Sequence, residues 1–305
     1  MSVVYVILGC LILVGGLGLA AWMVLVEPVR FRVRRVSVGS GDLARSPQEG
    51  GPPAGLRILH ISDTHFYGSD ERKLRFLRRV AREEEYDFAF LTGDLIDTPR
   101  GVASGAELAR ALQPRVAAYA VLGGHDLYWA PLLKVLASLG GTRNIAEPAE
   151  VPSAPGELEG VLEKNGVRVL NDASDVADLP GGGEVAVVGT RDAQHCDPNY
   201  GAAWSQVPGD TPVIALSHCP DAVPDLAARR PDMAFFGHTH GGQVRLPLVG
   251  ALVTRSELSA GRASGMFRHR DTLCLLNNGV GTNRFIRMRL LCPPEVSLVS
   301  IDGWS

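Results

Sequence analysis

The chain has 305 residues, a formal net charge of −3 at pH 7 and an isoelectric point near 6.2. This charge balance argues against nucleic acid as the main partner, because nonspecific binding to nucleic acid depends on a basic surface. The five cysteines lack the spacing of a thiolate metal site or of a disulfide framework, so the sequence predicts neither.

The first segment of the chain, residues 2–26, contains no charged residue. As a helix it would measure about 37 Å at 1.5 Å per residue, more than the ~30 Å hydrocarbon core of a bilayer. We therefore expect a single transmembrane anchor, with Trp22 near the membrane interface. A cleaved signal peptide is the alternative, but such peptides normally begin with basic residues, and none precedes Arg30.

Residues 27–55 are interpreted as a juxtamembrane strand and linker. Arginines at positions 30, 32, 34 and 35 flank the anchor, so the positive-inside rule predicts a single-pass protein of the cytoplasmic (inner) membrane with its main body in the cytoplasm. Apolar residues alternate with arginines from Val29 to Val38, which predicts an edge strand with one buried face. These arginines then either contact anionic lipid headgroups or face water. Residues 56–305 are long enough for one large α/β domain.

Five apolar runs of strand length follow the linker, and each precedes a short polar motif. The runs are Arg57–Ile61, Phe88–Leu91, Ala117–Leu122, Val213–Leu216 and Met233–Phe236. The motifs, in the same order, are Asp63-Thr64-His65, Gly93-Asp94, Gly123-Gly124-His125-Asp126, Ser217-His218 and Gly237-His238-Thr239-His240. Because ligands bind outside the carboxyl ends of the strands in an α/β sheet, we expect these motifs to meet at one edge.

Helical patterns alternate with these runs. The predicted helices are Asp70–Tyr86, Pro131–Leu139 and Glu157–Asn165, and the last of them leads into a strand at Val167–Leu170. Strands and Gly/Pro-rich loops beyond residue 241 suggest a second, more antiparallel sheet. We expect His60, inside the first run, to be a hydrogen-bonded core histidine, and His195, beside Asp192, either to lie at the surface or to line the cleft.

The residue types in the motifs indicate a metal centre. Imidazole and carboxylate without thiolate suit Zn, Mn or Fe, and Asp94 has two oxygens with which to bridge two ions. We therefore predict two divalent metal ions, which together generate a bound hydroxide and stabilise an in-line displacement at phosphorus. Asp-x-His alone is weak support, because an aspartate after a strand often caps a helix. Two histidines one residue apart among glycines, His238 and His240, are stronger support.

The order of these motifs resembles the calcineurin-like metallophosphoesterase superfamily, from about Leu56 to the C-terminus. The sequences at Gly237–Gln243, Gly279–Gly281 and Cys292–Glu295 resemble a membrane-anchored bacterial subgroup that includes phosphodiesterases and lipid A pathway pyrophosphatases. The resemblance implies a four-layer αββα sandwich of two mixed β-sheets, here preceded by the N-terminal transmembrane helix.

The resemblance also implies a role for each motif residue. The first metal would be held by Asp63, His65 and His240, with Asp94 shared between both ions, and the second by His218 and His238. His125 would contact the phosphoryl oxygen or protonate the leaving group, with Asp126 orienting its ring. The family normally has asparagine as a further ligand of the second metal, at the position of Gly124. Glycine offers no side-chain ligand, so we expect a weakened second site.

Three functions follow as expectations. The first is a membrane-anchored, metal-dependent phosphoesterase that hydrolyses a phosphodiester or pyrophosphate bond, with a lipid-linked substrate suggested by the anchor. The second is a phosphatase-like binding protein whose metal site is impaired by Gly124; the third is a tethered scaffold, which no feature of the sequence supports. Of the clustered Arg284, Arg287 and Arg289, we expect Arg287 to bind a substrate phosphate. Alternation would place Arg287 and Arg289 on one strand face, where simple exposure to water is the competing interpretation.

Overall fold

The computed structural model describes residues 2–46, 49–68, 70–129, 151–282 and 286–302. The predicted helix at Pro131–Leu139 and the residue Arg284 lie outside these ranges. The strands, in chain order, are β1 (Arg32–Val38), β2 (Arg57–Ile61), β3 (Phe88–Thr92), β4 (Ala117–Val121), β5 (Tyr128–Trp129), β6 (Val151–Pro152), β7 (Val167–Val169), β8 (Ala173–Asp178), β9 (Glu184–Gly189), β10 (Val213–Leu216), β11 (Met233–Phe236), β12 (Arg245–Leu246), β13 (Gly250–Ala251), β14 (Gly265–His269), β15 (Thr272–Leu276) and β16 (Glu295–Ile301).

The helices cover the outer faces of the sheets, apart from the first one and the single turn Gly124–Leu127. They are α1 (Ser2–Ala21), α2 (Glu71–Glu83), α3 (Val102–Ala111), α4 (Gly124–Leu127), α5 (Pro155–Lys164), α6 (Tyr200–Trp204) and α7 (Val223–Ala228). Helix α2 shows why the sequence adopts this form: the Asp70 side chain accepts a hydrogen bond from the Lys73 amide at its start. Leu74, Leu77 and Val80, at helical spacing, are buried against the first sheet.

Two six-stranded mixed sheets form the domain. The first has the order β1-β16-β2-β3-β4-β7 and the second β14-β15-β11-β10-β9-β8. Phe90 and Tyr119 of the first sheet and Leu216 and Phe235 of the second belong to one buried cluster between the sheets. Separate apolar clusters join each outer face to its helices. The expected four-layer αββα sandwich is therefore confirmed.

The second sheet differs from the expectation in its position along the chain. It begins at β8, well before residue 241, and its central strands β9, β10, β11 and β15 are parallel to one another. It is nevertheless the more antiparallel of the two sheets, as predicted, because it contains the antiparallel pairs β8–β9 and β14–β15, whereas the first sheet contains one such pair, β2–β16. Central parallel strands are buried on both faces and read as continuous apolar runs, so single-sequence periodicity does not reveal which neighbour each run pairs with.

The N-terminal helix is apolar, and its end contacts the domain. Residues Val3–Val29 form one helical stretch that is long and apolar enough to cross a membrane, and none of its most apolar window is buried. At its end the Met23 carbonyl accepts a hydrogen bond from the Arg289 amide at 2.9 Å. The buried Glu27 carboxylate accepts one from the Cys292 amide at 3.1 Å. The helix is thus joined to the domain through specific polar contacts.

The predicted edge strand is confirmed as β1, which pairs in parallel with β16 at one margin of the first sheet. Its arginines are paired with carboxylates, an arrangement that the sequence analysis did not anticipate. Arg32 and Arg34 both reach the buried Glu295, with the shorter N–O distance 2.5 Å, and Arg35 pairs with Glu84 at 2.7 Å. The strand assigned to the juxtamembrane segment is therefore part of the first sheet.

Candidate metal centre

The motif residues meet at one edge of the two sheets, where the parallel strands β2, β3, β4, β10 and β11 end. This edge lies at the carboxyl ends of the strands, as expected for an α/β ligand site. The backbone there is unusual, because several of the predicted ligands adopt a left-handed conformation that costs roughly 1–2 kcal/mol per non-glycine residue. They are Asp63 (φ 50°), His65 (φ 45°), Asp94 (φ 52°), His238 (φ 70°) and His240 (φ 50°). Such strain clusters at functional sites, where surrounding structure maintains it.

Gly93 lets two of these strand ends approach each other closely. Its φ is 75°, and an added Cβ would lie 2.7 Å from His218 Nδ1 and 2.6 Å from the amide nitrogen of Gly123. A side chain at this position would therefore require the backbone to move as well as adopt a left-handed conformation. The glycine before Asp94 is thus needed for the geometry of the centre.

A first group of donor atoms consists of Asp63, His65 and His240, whose potential ligand atoms all lie within 4.8 Å of one another. His65 Nε2 is 3.1 Å from His240 Nε2, and His240 Nε2 is 3.5 Å from Asp63 Oδ1. Two nitrogens bound tetrahedrally to one zinc ion at about 2.0–2.1 Å would be about 3.3–3.4 Å apart, close to the separation of the two histidines. His65 Nδ1 donates to Asp97 Oδ1 at 2.6 Å, which leaves the lone pair on Nε2.

A second group, Asp63, Asp94 and His218, overlaps the first. The His218 Nδ1–H donates to the Thr92 carbonyl at 2.8 Å, so Nε2 is the atom that can bind a metal, and it lies 3.4 Å from Asp94 Oδ2. That Nε2 atom is buried and has no hydrogen-bond partner. A buried polar nitrogen without such a partner is costly, and a metal ion would displace its proton and bind it. Asp94 Oδ2 is also 3.6 Å from His65 Nε2, which places this carboxylate between the two groups.

The buried Nε2 atom of His218, which has no hydrogen-bond partner, therefore supports a metal ion independently of the sequence motif. His238 belongs to none of the three compact groups among the described residues, the third of which is His65, Asp97 and His125. Its ring packs edge-on against His218, with centroids 5.2 Å apart, and its Nε2–H donates to the Arg255 carbonyl at 3.0 Å. This hydrogen bond leaves the lone pair on Nδ1, as a metal ligand requires.

The electrostatics of the centre are those of closely packed opposite charges. Burial raises the pKa of Asp63. Burial also disfavours the Asp94 carboxylate, but the neighbouring His218 and His125 hold its pKa well below its usual range. Burial alone would lower the pKa of His218, yet Asp94 raises it well above 6.5. A divalent cation would provide the positive charge that these buried carboxylates attract.

His125 lies beside the first group, half-buried. Its Nδ1 is 3.1 Å from Asp97 Oδ1, and its ring packs edge-on against His65. Burial by itself would lower the pKa of His125. The Asp94 and Asp97 carboxylates have the larger, opposite effect, so the pKa rises to about 9. Asp97 therefore contacts two histidines of the centre. Asp97 was not among the predicted site residues, although its position three residues after Asp94 was a signal for it in the sequence.

The expected contact between Asp126 and the His125 ring is wrong. The Asp126 carboxylate is buried and accepts hydrogen bonds from the Ile96 amide at 2.9 Å and the Gly123 amide at 3.0 Å. It caps helix α4 from within its first turn and connects that turn to the loop after β3. Asp126 thus holds backbone in place, whereas Asp97 supplies the carboxylate beside the ring.

Arg287 and Arg289 do not share a strand face, so that prediction is also wrong. Residues 286–289 form no strand, Arg287 is exposed and Arg289 is fully buried. The Arg289 guanidinium donates to the carbonyls of Asn278, Gly281 and Cys292 at 2.6–3.0 Å. Gly279, in the same loop, packs against Asp63. Arg289 therefore positions a loop beside the centre, a role that its sequence context did not indicate.

The remaining two histidines discussed above lie close to the centre. His60 is buried, and its Nε2 is 2.8 Å from the Thr92 hydroxyl, so it is a hydrogen-bonded core residue as expected. His195 lines the cleft: its Nδ1 donates to the buried Asp192 carboxylate at 2.5 Å, and its ring lies directly over Gly124.

Comparison with known proteins agrees with this geometry. The chain matches the Calcineurin-like phosphoesterase family over residues 56–242. It belongs to this family. It is 26% identical over 257 residues to the uncharacterized metallophosphoesterase YkuE of Bacillus subtilis, covering 82% of this chain and 80% of YkuE. It is 26% identical over 285 residues to the UDP-2,3-diacylglucosamine pyrophosphatase LpxG of Chlamydia trachomatis, covering 80% and 83%. It is 28% identical over 259 residues to the phosphodiesterase YaeI of Escherichia coli, covering 81% and 83%.

Proposed function

We propose that this protein is a membrane-anchored, metal-dependent phosphoesterase that hydrolyses a phosphodiester or pyrophosphate bond of a lipid-linked substrate. The observation that supports this most directly is the overlap of two donor groups at one sheet edge, with Asp94 between them. Family membership supports the reaction class, since the relatives include a named pyrophosphatase and a named phosphodiesterase.

Two divalent ions, of Mn, Zn or Fe, fit the donor atoms. Asp63, His65 and His240 would hold the first, His218 and His238 the second, and Asp94 would contact both. When bound, such ions supply an activated water and neutralise charge on the phosphoryl group. The protein contributes the fixed positions: Asp97 and the Thr92 carbonyl each set the ring orientation of one ligand histidine.

His125 is the proposed acid. In the metal-free protein its pKa of about 9 keeps the imidazole protonated near neutral pH, beside a carboxylate that holds the ring. From this position it would donate a proton to the leaving-group oxygen or a hydrogen bond to a phosphoryl oxygen. Asp126 supports it indirectly, because its carboxylate fixes the turn that carries His125.

An exposed apolar surface supports a lipid-linked substrate. The β12–β13 hairpin and the residues after it present exposed apolar side chains, namely Leu246, Leu248, Val249, Leu252 and Val253, which we call the apolar hairpin. It starts shortly after His240 and leads to Arg255, whose carbonyl contacts His238. The Arg245 amide donates to the Leu290 carbonyl, and the adjacent Arg289 amide donates to Met23. The hairpin and the end of the apolar helix therefore contact the same short segment, next to the metal centre.

Two further assignments remain part of the proposal. Arg287 is exposed, and it lies two residues before Arg289, which positions the loop beside the centre. This supports its assignment as the arginine that would bind a substrate phosphate. The membrane orientation rests on the arginines after the helix, which favour a cytoplasmic domain.

A second candidate function is a binding protein with an impaired metal site, and Gly124 favours it because it offers no ligand. Hydrolysis of bis-p-nitrophenyl phosphate by the full chain in detergent, with Mn²⁺ added, separates the two. We expect Mn²⁺-dependent hydrolysis that His125→Ala abolishes while bound metal stays the same. Metal binding without hydrolysis by the wild-type protein would favour the binding protein, and the absence of any bound metal would contradict both.

A further inference from the structure

Position 124 is where the centre departs from its family, and the ring of another residue fills the space above it. A Cβ built on Gly124 would lie 2.4 Å from Cε1, 2.6 Å from Nδ1 and 3.0 Å from Nε2 of His195. Real Cβ atoms do not approach other atoms so closely, so the imidazole occupies the volume that a side chain at position 124 would need. The glycine and this histidine therefore complement each other.

The ring of His195 is oriented by a hydrogen bond of the kind that usually orients a metal-binding histidine. Its Nδ1–H donates at 2.5 Å to the carboxylate of Asp192, which is only 1% exposed. The lone pair is consequently on Nε2. The arrangement repeats that of His65, whose Nδ1–H donates to the buried Asp97 at 2.6 Å. A carboxylate behind the outer nitrogen is the usual support of a metal-ligating histidine.

The loop that carries His195 leaves the sheet beside the second group of donor atoms. It follows β9, which is hydrogen-bonded in parallel to β10, the strand that ends just before His218. The Thr190 amide donates to the Leu216 carbonyl at 3.0 Å, so the two strand exits lie side by side. Like His238, His195 belongs to none of the compact groups, and its ring lies over Gly124, next to the Gly123 that packs against Asp94 and His218.

We propose that His195, oriented by Asp192, supplies the second metal with the ligand that position 124 lacks. The proposal rests on the proposed function, because it requires the metal centre. The imidazole nitrogen would replace a side-chain amide oxygen, reaching the ion from the β9 loop instead of from the loop after β4. The second metal site would then have the His195 imidazole in place of the asparagine that is usual in the family. Gly124 leaves the space that this imidazole ring occupies.

Metal binding by the full chain in detergent tests this directly. Isothermal titration with Zn²⁺ into the metal-free protein, together with elemental analysis after dialysis, gives the stoichiometry and both affinities. We expect two ions per chain in the wild type. In His195→Ala we expect one tight ion and a second whose Kd rises at least about 10-fold, since loss of even an indirect partner costs 10–100-fold. Asp192→Asn should give a smaller increase at the same site.

A double variant makes the test specific. Gly124→Asn alone should bind the second ion poorly, because the new side chain collides with the His195 ring. In Gly124→Asn combined with His195→Ala the collision is absent and an amide oxygen is available, so second-site affinity should recover. His269→Ala is the matched control: His269 pairs with Thr272 at the start of β15, at the opposite end of the strand from the centre. It should bind metal like the wild type.

The outcomes separate this inference from the proposed function. A wild-type chain that binds no metal would contradict the proposed function, and this inference with it. If a folded His195→Ala variant binds two ions with unchanged affinity, this inference is overturned while the proposed function stands. The same conclusion holds if the variant changes only the KM for substrate. Circular dichroism of each variant establishes that the fold is kept.

Discussion

The two donor groups of the centre are built differently. In the first, Asp63, His65 and His240 follow β2 and β11 closely, and the Nε2 atoms of the two histidines are 3.1 Å apart. In the second, Asp63, Asp94 and His218 are equally compact, but the further ligands that we propose, His238 and His195, belong to neither group. Motif order predicts the first kind of site well. The second kind depends on how loops from neighbouring strands pack against each other.

The largest expected effect comes from Asp94→Asn, because Asp94 Oδ2 lies between both groups. On the proposed function, losing its charge would remove a ligand of both ions. We expect activity on bis-p-nitrophenyl phosphate to fall by more than about 100-fold, since even indirect partners cost 10–100-fold. Steady-state kinetics with metal analysis measures both losses. Asp178→Asn, an exposed carboxylate on β8, should leave both unchanged; normal activity in Asp94→Asn would show that the groups do not share this ligand.

Asp97→Asn should reduce activity by about 10–100-fold, because Asp97 orients His65 and lies beside His125. The pH dependence gives a sharper result. In the metal-free protein the raised pKa of His125 contributes stability below its ordinary value of 6.5, and that contribution is lost as the pH rises through about 9. Removing the Asp97 charge should lower this pKa and move the loss to lower pH.

The His125 titration can be followed by NMR of the ring protons, alongside thermal unfolding at each pH. Asp126→Asn serves as the comparison, because that carboxylate binds backbone amides and not the ring. It should destabilise the turn while leaving the His125 titration closer to that of the wild type. A larger shift in Asp126→Asn than in Asp97→Asn would reinstate Asp126 as the main ring partner.

Gly93→Ala tests whether the close approach of the two strand ends is required. The substitution imposes a left-handed alanine and a contact of 2.6 Å with the Gly123 amide nitrogen, so we expect a loss of about 1–3 kcal/mol in the free energy of unfolding. Denaturant unfolding of the metal-free protein measures it. Gly160→Ala in helix α5, where a Cβ meets nothing within 4 Å, should instead be stabilising by about 0.5–1 kcal/mol. Equal stability of both variants would mean that the strand ends can separate freely.

The smallest expected effect concerns the apolar hairpin. Leu248→Asp and Val249→Asp place charge at its exposed tip, which should weaken contact with a bilayer without touching the metal ligands. We expect a severalfold drop in hydrolysis of a lipid-linked pyrophosphate presented in vesicles. Hydrolysis of bis-p-nitrophenyl phosphate by the same variants is the internal control and should not change. A parallel loss on both substrates would assign the hairpin to the fold of the centre instead.

The sequence by itself determined the elements whose formation is local. The runs Arg57–Ile61, Val213–Leu216 and Met233–Phe236 appear as strands with the predicted bounds, and helix α5 (Pro155–Lys164) begins and ends within two residues of its prediction. Apolar periodicity and capping residues act over a few neighbours, so they can be read directly from the chain. The metal-ligand motifs belong to the same class, because each follows the end of a strand.

Only the tertiary structure decided which side chains meet across strands. Asp97 and Asp126 are both aspartates near the ends of neighbouring strands, yet one contacts His125 and the other caps a turn. Arg289 is buried among loop carbonyls, and His195 lies on Gly124. Partners of this kind are separated by up to tens of residues and are selected by the register and packing of the sheets. Periodicity in a single sequence shows which face of an element a residue occupies. It does not show which residue of another strand or loop lies opposite, so these partners could not be predicted from it.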